Sequence, residues 1–309
     1  MKALTGHLED YLALRRSLGY KLSRPGQMLG VFVRYLEMAG AATITTGLAL
    51  AWATEPAGAD PTWWRARLAA VRGFARYLAP LVPGTEVPPR GLLPGPVSRR
   101  AVPYLYRPAE IAALITAAAA IRTPLRAATY QTLIGLLAAA GLRVGEAISL
   151  DRSDLDAGQG LLTIRSSKFG RSRQLPLHSS AVQALADYAA LRDSSLRRLA
   201  VPAFFTSTAG TRLIYSNVHF TFHELVKAAG LQPRSAACRP RIHDLRHTFA
   251  VTTLTRWYAD GGDVAARLPL LSTWLGHADP AGTYWYLTGT PELLALAAAR
   301  LQPSPGPAR

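Results

Sequence analysis

Between residues 80 and 102 the chain carries Pro80, Pro83, Pro88, Pro89, Pro94 and Pro96, interleaved with Gly84, Gly91 and Gly95. Proline has no amide donor, and its ring clashes with the preceding turn, so neither a helix nor an inner strand can run through this stretch. It also lacks an apolar pattern that could form a core of its own. A chain of 309 residues interrupted in this way is expected to fold as two parts. We read residues 1–79 as one domain, 80–102 as an extended linker ending in Arg99 and Arg100, and 103–309 as a second domain.

The first part shows only helical periodicity. Leu8, Tyr11, Leu12 and Leu18 form one apolar stripe, and Met28, Val31, Phe32, Tyr35 and Leu36 a second. Trp63, Trp64, Leu68, Val71, Phe74 and Leu78 form a third, at i, i+3/i+4 spacing. Gly19, Gly40 and the segment Glu55–Pro61 separate the stripes, which predicts four short helices. Arg65, Arg72 and Arg76 can share one face of the last of them.

The second part is mixed. Helices are expected at Pro108–Ile121, Pro124–Ala140, Ser180–Ser194, Ser216–Ala229, His243–Thr255, Val264–Leu275 and Pro291–Leu301. The last has Thr290 as its N-cap and Pro291 at the first helical position. Leu161–Arg165 and Arg173–Leu177 read as a hairpin around Phe169-Gly170, with Ala203–Thr206 as a further strand. The stretch Trp257–Leu270, with Gly261-Gly262 inside it, reads as a long loop. The predicted fold class is mainly α with a small antiparallel sheet.

Thirty-five basic residues against nineteen acidic ones give a net charge of +16. The excess is +5 over residues 1–85, +2 over 86–100 and +9 over 101–309. A positive balance in every segment suits a polyanionic partner touched by more than one domain. Arginine-rich composition offers a plainer explanation, since only four of the basic residues are lysine. The single cysteine, Cys238, cannot form an internal disulfide, which fits a reducing cytoplasm. No apolar run reaches the ~18 residues of a membrane span, and the first ten residues lack the apolar core of a signal peptide.

Several familiar chemistries have no residues to carry them. There is no phosphate-binding glycine loop ending in Lys-Ser/Thr and no cysteine pair for zinc, and His223-Glu224 lacks the second histidine of H-E-x-x-H. His243 and His247 stand i, i+4, but no third ligand is placed to complete a metal site, so none is expected. What remains is a set of cations, imidazoles and a tyrosine: Arg143 with Glu146 in Gly-Leu-Arg-Val-Gly-Glu, Lys168 in the hairpin turn, His243 and Arg246 in Arg-Ile-His-Asp-Leu-Arg-His, His277 after Leu275-Gly276, and Tyr286 nine residues later.

The stretches AAGLRVGEAISL, SSKFGRSRQLPL, RIHDLRHTFA and LSTWLGHADPAGTYWYL resemble, in this order, the tyrosine recombinase (phage integrase) family. The resemblance covers residues 103–301; the helical part is similar to that family's core-binding domain in size and position. It implies an N-terminal core-binding domain and a C-terminal catalytic domain forming a C-shaped clamp on duplex DNA. Carried over to matching positions, it makes Arg143 and Arg246 the clamp on the scissile phosphate, Lys168 the acid for the leaving oxygen, and His243 and His277 the two histidine positions. It makes Tyr286 the nucleophile, with Glu146 bracing Arg143. Tyr284 and Tyr286 would lie about 200° apart on a helix, so only one can face the site, and the family's spacing selects Tyr286. The implied reaction is site-specific cleavage and rejoining of DNA through a 3′-phosphotyrosine, with no metal, cofactor or ATP. A topoisomerase-like relaxing enzyme and a non-catalytic DNA-binding protein of the same fold are the alternatives.

The chemistry is consistent with these residue types. Two permanently charged, planar guanidiniums match the non-bridging oxygens of a phosphate on which charge builds up. A phenol, of reference pKa about 10, becomes a competent nucleophile once cations favour its anion and a base takes its proton. Arg72, Arg76, Arg99, Arg100, Arg239 and Arg241 are the candidate DNA contacts. The resemblance further implies a homo-tetramer assembled on double-stranded DNA. The helix at 291–301 would then either dock on a neighbouring protomer or pack on its own domain.

Overall fold

The computed structural model describes residues 3–94, 102–165, 172–196, 201–277, 279, 281–288 and 291–299. The chain separates into two compact units, residues 1–100 and 101–309.

The first unit contains helices α1 (Leu4–Ser17), α2 (Ser23–Met38), α3 (Thr46–Thr54) and α4 (Pro61–Leu78). Their starts follow from local chemistry. The Thr45 hydroxyl caps Leu48 N, and the Asp60 carboxylate accepts from Thr62 N at 2.6 Å, just ahead of Pro61 at the first helical position. Leu29, Phe32, Leu36, Trp52, Leu68, Val71, Phe74 and Leu78 form the core. Two residues of the expected stripes, Leu18 and Val31, instead face solvent.

The proline-rich stretch does not run free. Arg72 donates to Pro88 O at 2.7 Å and Pro89 O at 2.8 Å, and Arg65 donates to Pro94 O at 2.7 Å. Glu86 N donates to Ile44 O, and Val82 and Leu93 pack on the core. Prolines that cannot donate still present carbonyls, and the arginines of α4 satisfy them. Residues 80–94 are therefore a coat on the helical unit, whereas the sequence alone suggested an extended linker.

The second unit holds α5 (Pro108–Ala119), α6 (Pro124–Ala140), α7 (Val144–Ile148), β1 (Leu155–Asp156), β2 (Leu161–Ile164), β3 (Arg173–Pro176), α8 (Ser179–Ser195), α9 (Tyr215–Ala228), α10 (Asp244–Ala259), α11 (Val264–Leu275), α12 (Ala281–Tyr284) and α13 (Pro291–Ala299). The three strands form one antiparallel sheet in the order β1-β2-β3, with Leu162 opposite Leu175 and Ile164 opposite Arg173. Leu162, Ile164 and Leu175 are buried in the main core with Leu133, Leu137 and Phe222. The unit is thus mainly helical with a small sheet.

Three local expectations need correction. Strand β1 was not foreseen, being two residues long. Ala203–Thr206 is not a strand: Ala203 and Thr206 make only isolated bridges, to Asp151 and Arg212, because the buried Phe204 and Phe205 pack irregularly on Tyr188. The long loop at Trp257–Leu270 does not exist, since α10 and α11 leave only Asp260–Asp263 between them. The turn is made by Gly261 at φ +73°, and Asp263 caps the next helix.

After α12 the chain makes a 3-10 turn, Trp285–Thr288, before α13. Helix α13 packs on α10 of its own unit, with Leu293 buried beside Leu254 and Leu271. Thr290, expected to cap it, lies outside the described residues. Among these, no helix is long and apolar enough to cross a membrane.

Gly141 ends α6 at φ +62°, and a Cβ there would come within 2.4 Å of Phe249 Cδ1. Gly141→Ala therefore combines left-handed strain with overpacking and is expected to cost about 2–4 kcal/mol of stability. Urea unfolding of the variant measures this.

Candidate active site

Two helix ends organise the site. Helices α6 and α11 both terminate in a left-handed glycine, Gly141 and Gly276. The last carbonyls of a helix lack intrahelical partners and carry partial negative charge, so they attract cations. Arg246, on the first turn of α10, donates to Gly141 O at 2.8 Å and to Leu275 O at 2.6 Å. Arg143, immediately before α7, donates to Gly276 O from both terminal nitrogens at 3.3 Å. Arg246 is 1% exposed, whereas the Arg143 side chain keeps 27% of its surface open. Burial and the Arg143 charge bring the Arg246 pKa down to about 10, which still leaves it cationic at neutral pH.

Glu146 is the counter-charge. Its carboxylate accepts from Arg143 Nη1 at 2.8 Å and from the Arg143 amide at 3.0 Å. It also accepts from both terminal nitrogens of Arg173, at 3.2 and 2.9 Å. Burial alone would raise this carboxyl, but the hydrogen bonds and charge of Arg173, then those of Arg143, hold it below the ordinary carboxylate range. Arg173 itself is nearly buried, and its Nε donates to Trp274 O at 2.7 Å. It ties β3 to α7 and to the end of α11. Sequence reasoning treated it only as the first residue of a strand. The available signal was parity, because Arg173 shares a sheet face with the buried Leu175.

His277 follows Gly276 directly. Its Nε2 lies 3.0 Å from Arg246 Nη2 and its Nδ1 2.7 Å from Thr283 Oγ1. A guanidinium can only donate, so Nε2 accepts and the proton sits on Nδ1, directed at the threonine. Burial, followed by the charges of Arg246, Arg143 and Arg173, lowers its pKa to about 4.

Tyr286 lies in the 3-10 turn and is 3% exposed, whereas Tyr284 is 54% exposed. The Tyr286 ring stacks on His277 at a centroid distance of 6.1 Å and 15° between planes. Its hydroxyl lies close enough to Arg246 for the two to interact electrostatically. On its other side the His247 ring stands 5.4 Å away. His247 is pushed to a pKa of about 3 by burial and by the neighbouring His243, Arg241 and Arg246. Its Nδ1 is buried without a hydrogen-bond partner.

His243 sits at the rim as the residue before α10, not inside the helix, and its ring meets His247 edge-on at 4.9 Å. Its pKa is also lowered, by desolvation and then by Arg246. The structure thus brings Arg143, Glu146, Arg246, His277 and Tyr286 together from three distant stretches, with His243 at the edge. Arg241 is held in a bidentate pair with the fully buried Asp244, at 2.9 Å for both contacts. Arg239 is exposed near it. In the helical unit Arg76 is exposed, while Arg72 is engaged with the Pro88 and Pro89 carbonyls. Lys168, Arg99 and Arg100 lie outside the described residues. Among those described, no three His, Cys, Asp or Glu side chains gather in a way that could hold a metal ion.

These two half-buried imidazoles have a consequence for stability. A histidine with its folded pKa at about 4 (His277) or 3 (His247) binds its proton more readily when unfolded, where the pKa is about 6.5. The unfolded state then holds more protons throughout that interval, so folding stability rises with pH there. The melting temperature is expected to fall steadily as pH drops from about 6.5 towards 4. His277→Gln should flatten part of that slope.

Comparison with known proteins places the chain among DNA-processing enzymes. The family described as the phage integrase family matches residues 106–292. Over 301 residues, 96% of each chain, the sequence is 44% identical to a "putative integrase/recombinase" of Sinorhizobium fredii. It is 31% identical over 219 residues to tyrosine recombinase XerC of Azotobacter vinelandii, 71% of this chain and 67% of that one. Among solved structures, a lambda integrase tetramer bound to a Holliday junction matches with a TM-score of 0.61 at 18% identity, covering 92% of this chain and 76% of the other.

Proposed function

The chain belongs to the phage integrase family and is a tyrosine-type site-specific DNA recombinase, and from that premise we propose that Tyr286 cuts DNA by attacking a phosphodiester held by Arg143 and Arg246. The Tyr286 oxygen forms a bond to phosphorus while the bond from phosphorus to the 5′ oxygen breaks. The products are a 3′-phosphotyrosine and a free 5′-hydroxyl. The phenolic proton passes to His243 or to water at the rim, and the departing 5′ oxygen takes its proton from Lys168. Attack by a second 5′-hydroxyl reverses each transfer and reseals the strand. The phosphotyrosine conserves the ester bond, so no ATP is needed.

The observation that carries this reading is the burial of the Tyr286 ring between His277 and His247 beside Arg246, with Tyr284 turned outwards. Three guanidiniums face one carboxylate there, leaving an excess positive charge for a phosphate and for the charge that develops on it. Those cations do the work that a divalent ion performs elsewhere, and we propose that the reaction proceeds without metal. Contacts should go mainly to phosphates, with Arg76 and Arg239 contributing from exposed surfaces and the half-buried Arg241 from beside its Asp244 partner. Exchange between two duplexes requires four strand cuts, and the lambda integrase match is a tetramer on a junction. We assign this chain the same assembly state on DNA.

The test is a nicked suicide duplex, from which the released fragment diffuses away, incubated with the protein in EDTA. A covalent protein–DNA adduct is expected. No adduct, with DNA binding intact, overturns the proposal in favour of a non-catalytic binding protein. Relaxation of supercoils with no preferred site would favour a topoisomerase-like role.

A further inference from the structure

Arg173 opens β3 with a side chain only 9% exposed, against a Glu146 side chain that is 7% exposed. Its two terminal nitrogens take both oxygens of that carboxylate, Nη1 on Oε1 at 3.2 Å and Nη2 on Oε2 at 2.9 Å. The Arg143 side chain meets the same carboxylate through Nη1 alone, at 2.8 Å, while its Nη2 turns to Gly276 O at 3.3 Å. The carboxylate is therefore forked onto Arg173, and Arg143 shares one of its oxygens. On the reading that Arg143 and Arg246 clamp the scissile phosphate, on which this rests, we propose that Arg173 is a positioning residue for strand cleavage. By engaging Glu146 with both prongs, it leaves Arg143 with donors and net charge to offer the phosphate.

A carboxylate pairs best with a guanidinium that presents two parallel N–H groups. With Arg173 in place, that partner is Arg173. Without it, the guanidinium at hand is Arg143, which would close both terminal nitrogens on Glu146 and present a neutral pair where the phosphate needs a cation. The cluster of Arg143, Arg173 and Arg246 around Glu146 would lose one of its two excess charges. Charges this far from solvent are screened little, so the loss is felt in full. Arg173 also steadies the other side of the clamp. Its Nε holds Trp274 O at 2.7 Å, and a Cβ at Gly276 would come within 2.6 Å of its Nη1. It thus packs under the turn whose carbonyl anchors Arg143 and which leads into His277.

The experiment is single-turnover cleavage of the nicked duplex at saturating protein, comparing wild type, Arg173→Gln and the double variant Arg173→Gln/Glu146→Gln, with duplex affinity and urea midpoints measured alongside. Arg173→Gln is expected to cleave about 10²-fold more slowly while its affinity for duplex stays within about threefold. Removing the Glu146 charge as well should recover at least about tenfold of that loss, because Arg143 is then released. A residue that served the fold alone would give no such rescue, since the double variant has fewer native hydrogen bonds than the single one. Should Arg173→Gln not fold, Arg173→Lys, which keeps a cation but not the fork, takes its place, with the same rescue by Glu146→Gln expected. Cleavage by the single variant within about threefold of wild type, or a double variant no faster than the single one, overturns the proposal. A wild type that forms no adduct overturns the cleavage reading itself, whereas an adduct formed equally well by wild type and by Arg173→Gln overturns this role of Arg173 alone.

Discussion

Tyr286→Phe is expected to abolish the covalent adduct on a nicked duplex, at least roughly a thousandfold in rate, while Tyr284→Phe leaves it intact. The two tyrosines are separated by one residue, and an aromatic run of this kind ordinarily signals core packing. Their exposures differ sharply, at 3% and 54%. Of the two, Tyr286 is the one beside the Arg246 charge, with its ring stacked on the neutral His277. Replacing its hydroxyl removes one polar atom from a tight site, worth about 1 kcal/mol, so the variant should fold and bind DNA. Loss of activity would thus be chemical rather than structural. An adduct formed by Tyr286→Phe and lost in Tyr284→Phe would refute the nucleophile assignment, and sequencing of the adducted peptide would name the true residue.

Arg246→Lys is expected to lower cleavage by about 10²–10³-fold with DNA binding largely retained. The guanidinium of Arg246 reaches Gly141 O, Leu275 O and His277 Nε2 from two nitrogens, a planar spread that an ammonium group cannot reproduce. Lysine would leave at least one of these buried acceptors unsatisfied, at about 1–3 kcal/mol. Stability should therefore fall together with activity. Arg143→Lys, at a side chain still 27% open to water, should cost less stability for a comparable catalytic loss. Single-turnover cleavage and urea unfolding of the two variants separate these effects. Cleavage by Arg246→Lys within a few-fold of wild type would remove Arg246 from the phosphate clamp.

Much of this architecture could be read from residue pattern, because the determinants are local. Gly141 and Pro124 bracket α6, and the Asp60-Pro61 pair starts α4, where caps and proline act within a turn. Features decided by tertiary contact were hidden. Arg72 reads as a free cation on a basic helix face, yet the carbonyls it satisfies lie sixteen and seventeen residues away in a segment with no apolar periodicity. Val31 fits the α2 stripe by spacing, yet it stays exposed. The α10–α11 connection was overestimated because Gly261-Gly262 marks a break without showing how short it is, and here one left-handed glycine and the Asp263 cap complete the turn. In the site, Arg143, Glu146, Arg246, His277 and Tyr286 were nameable from ordered motifs. Arg173 was not, since its partners Glu146 and Trp274 come from elements 27 and 101 residues away. Lone strand arginines are commonplace, so burial on the sheet's inner face was the only clue.

Arg246 is anchored to main-chain oxygens at Gly141 and Leu275, and Arg143 reaches that of Gly276 beside its bond to Glu146. Peptide oxygens are common to every residue type, so drift in the side chains along α6 and α11 leaves these anchors in place. Adding or deleting one residue in either helix is a different event, since it turns everything beyond it by about 100° and moves it about 1.5 Å along the axis. Descendants of this protein should accordingly vary freely in composition along those two rods while keeping their lengths unchanged.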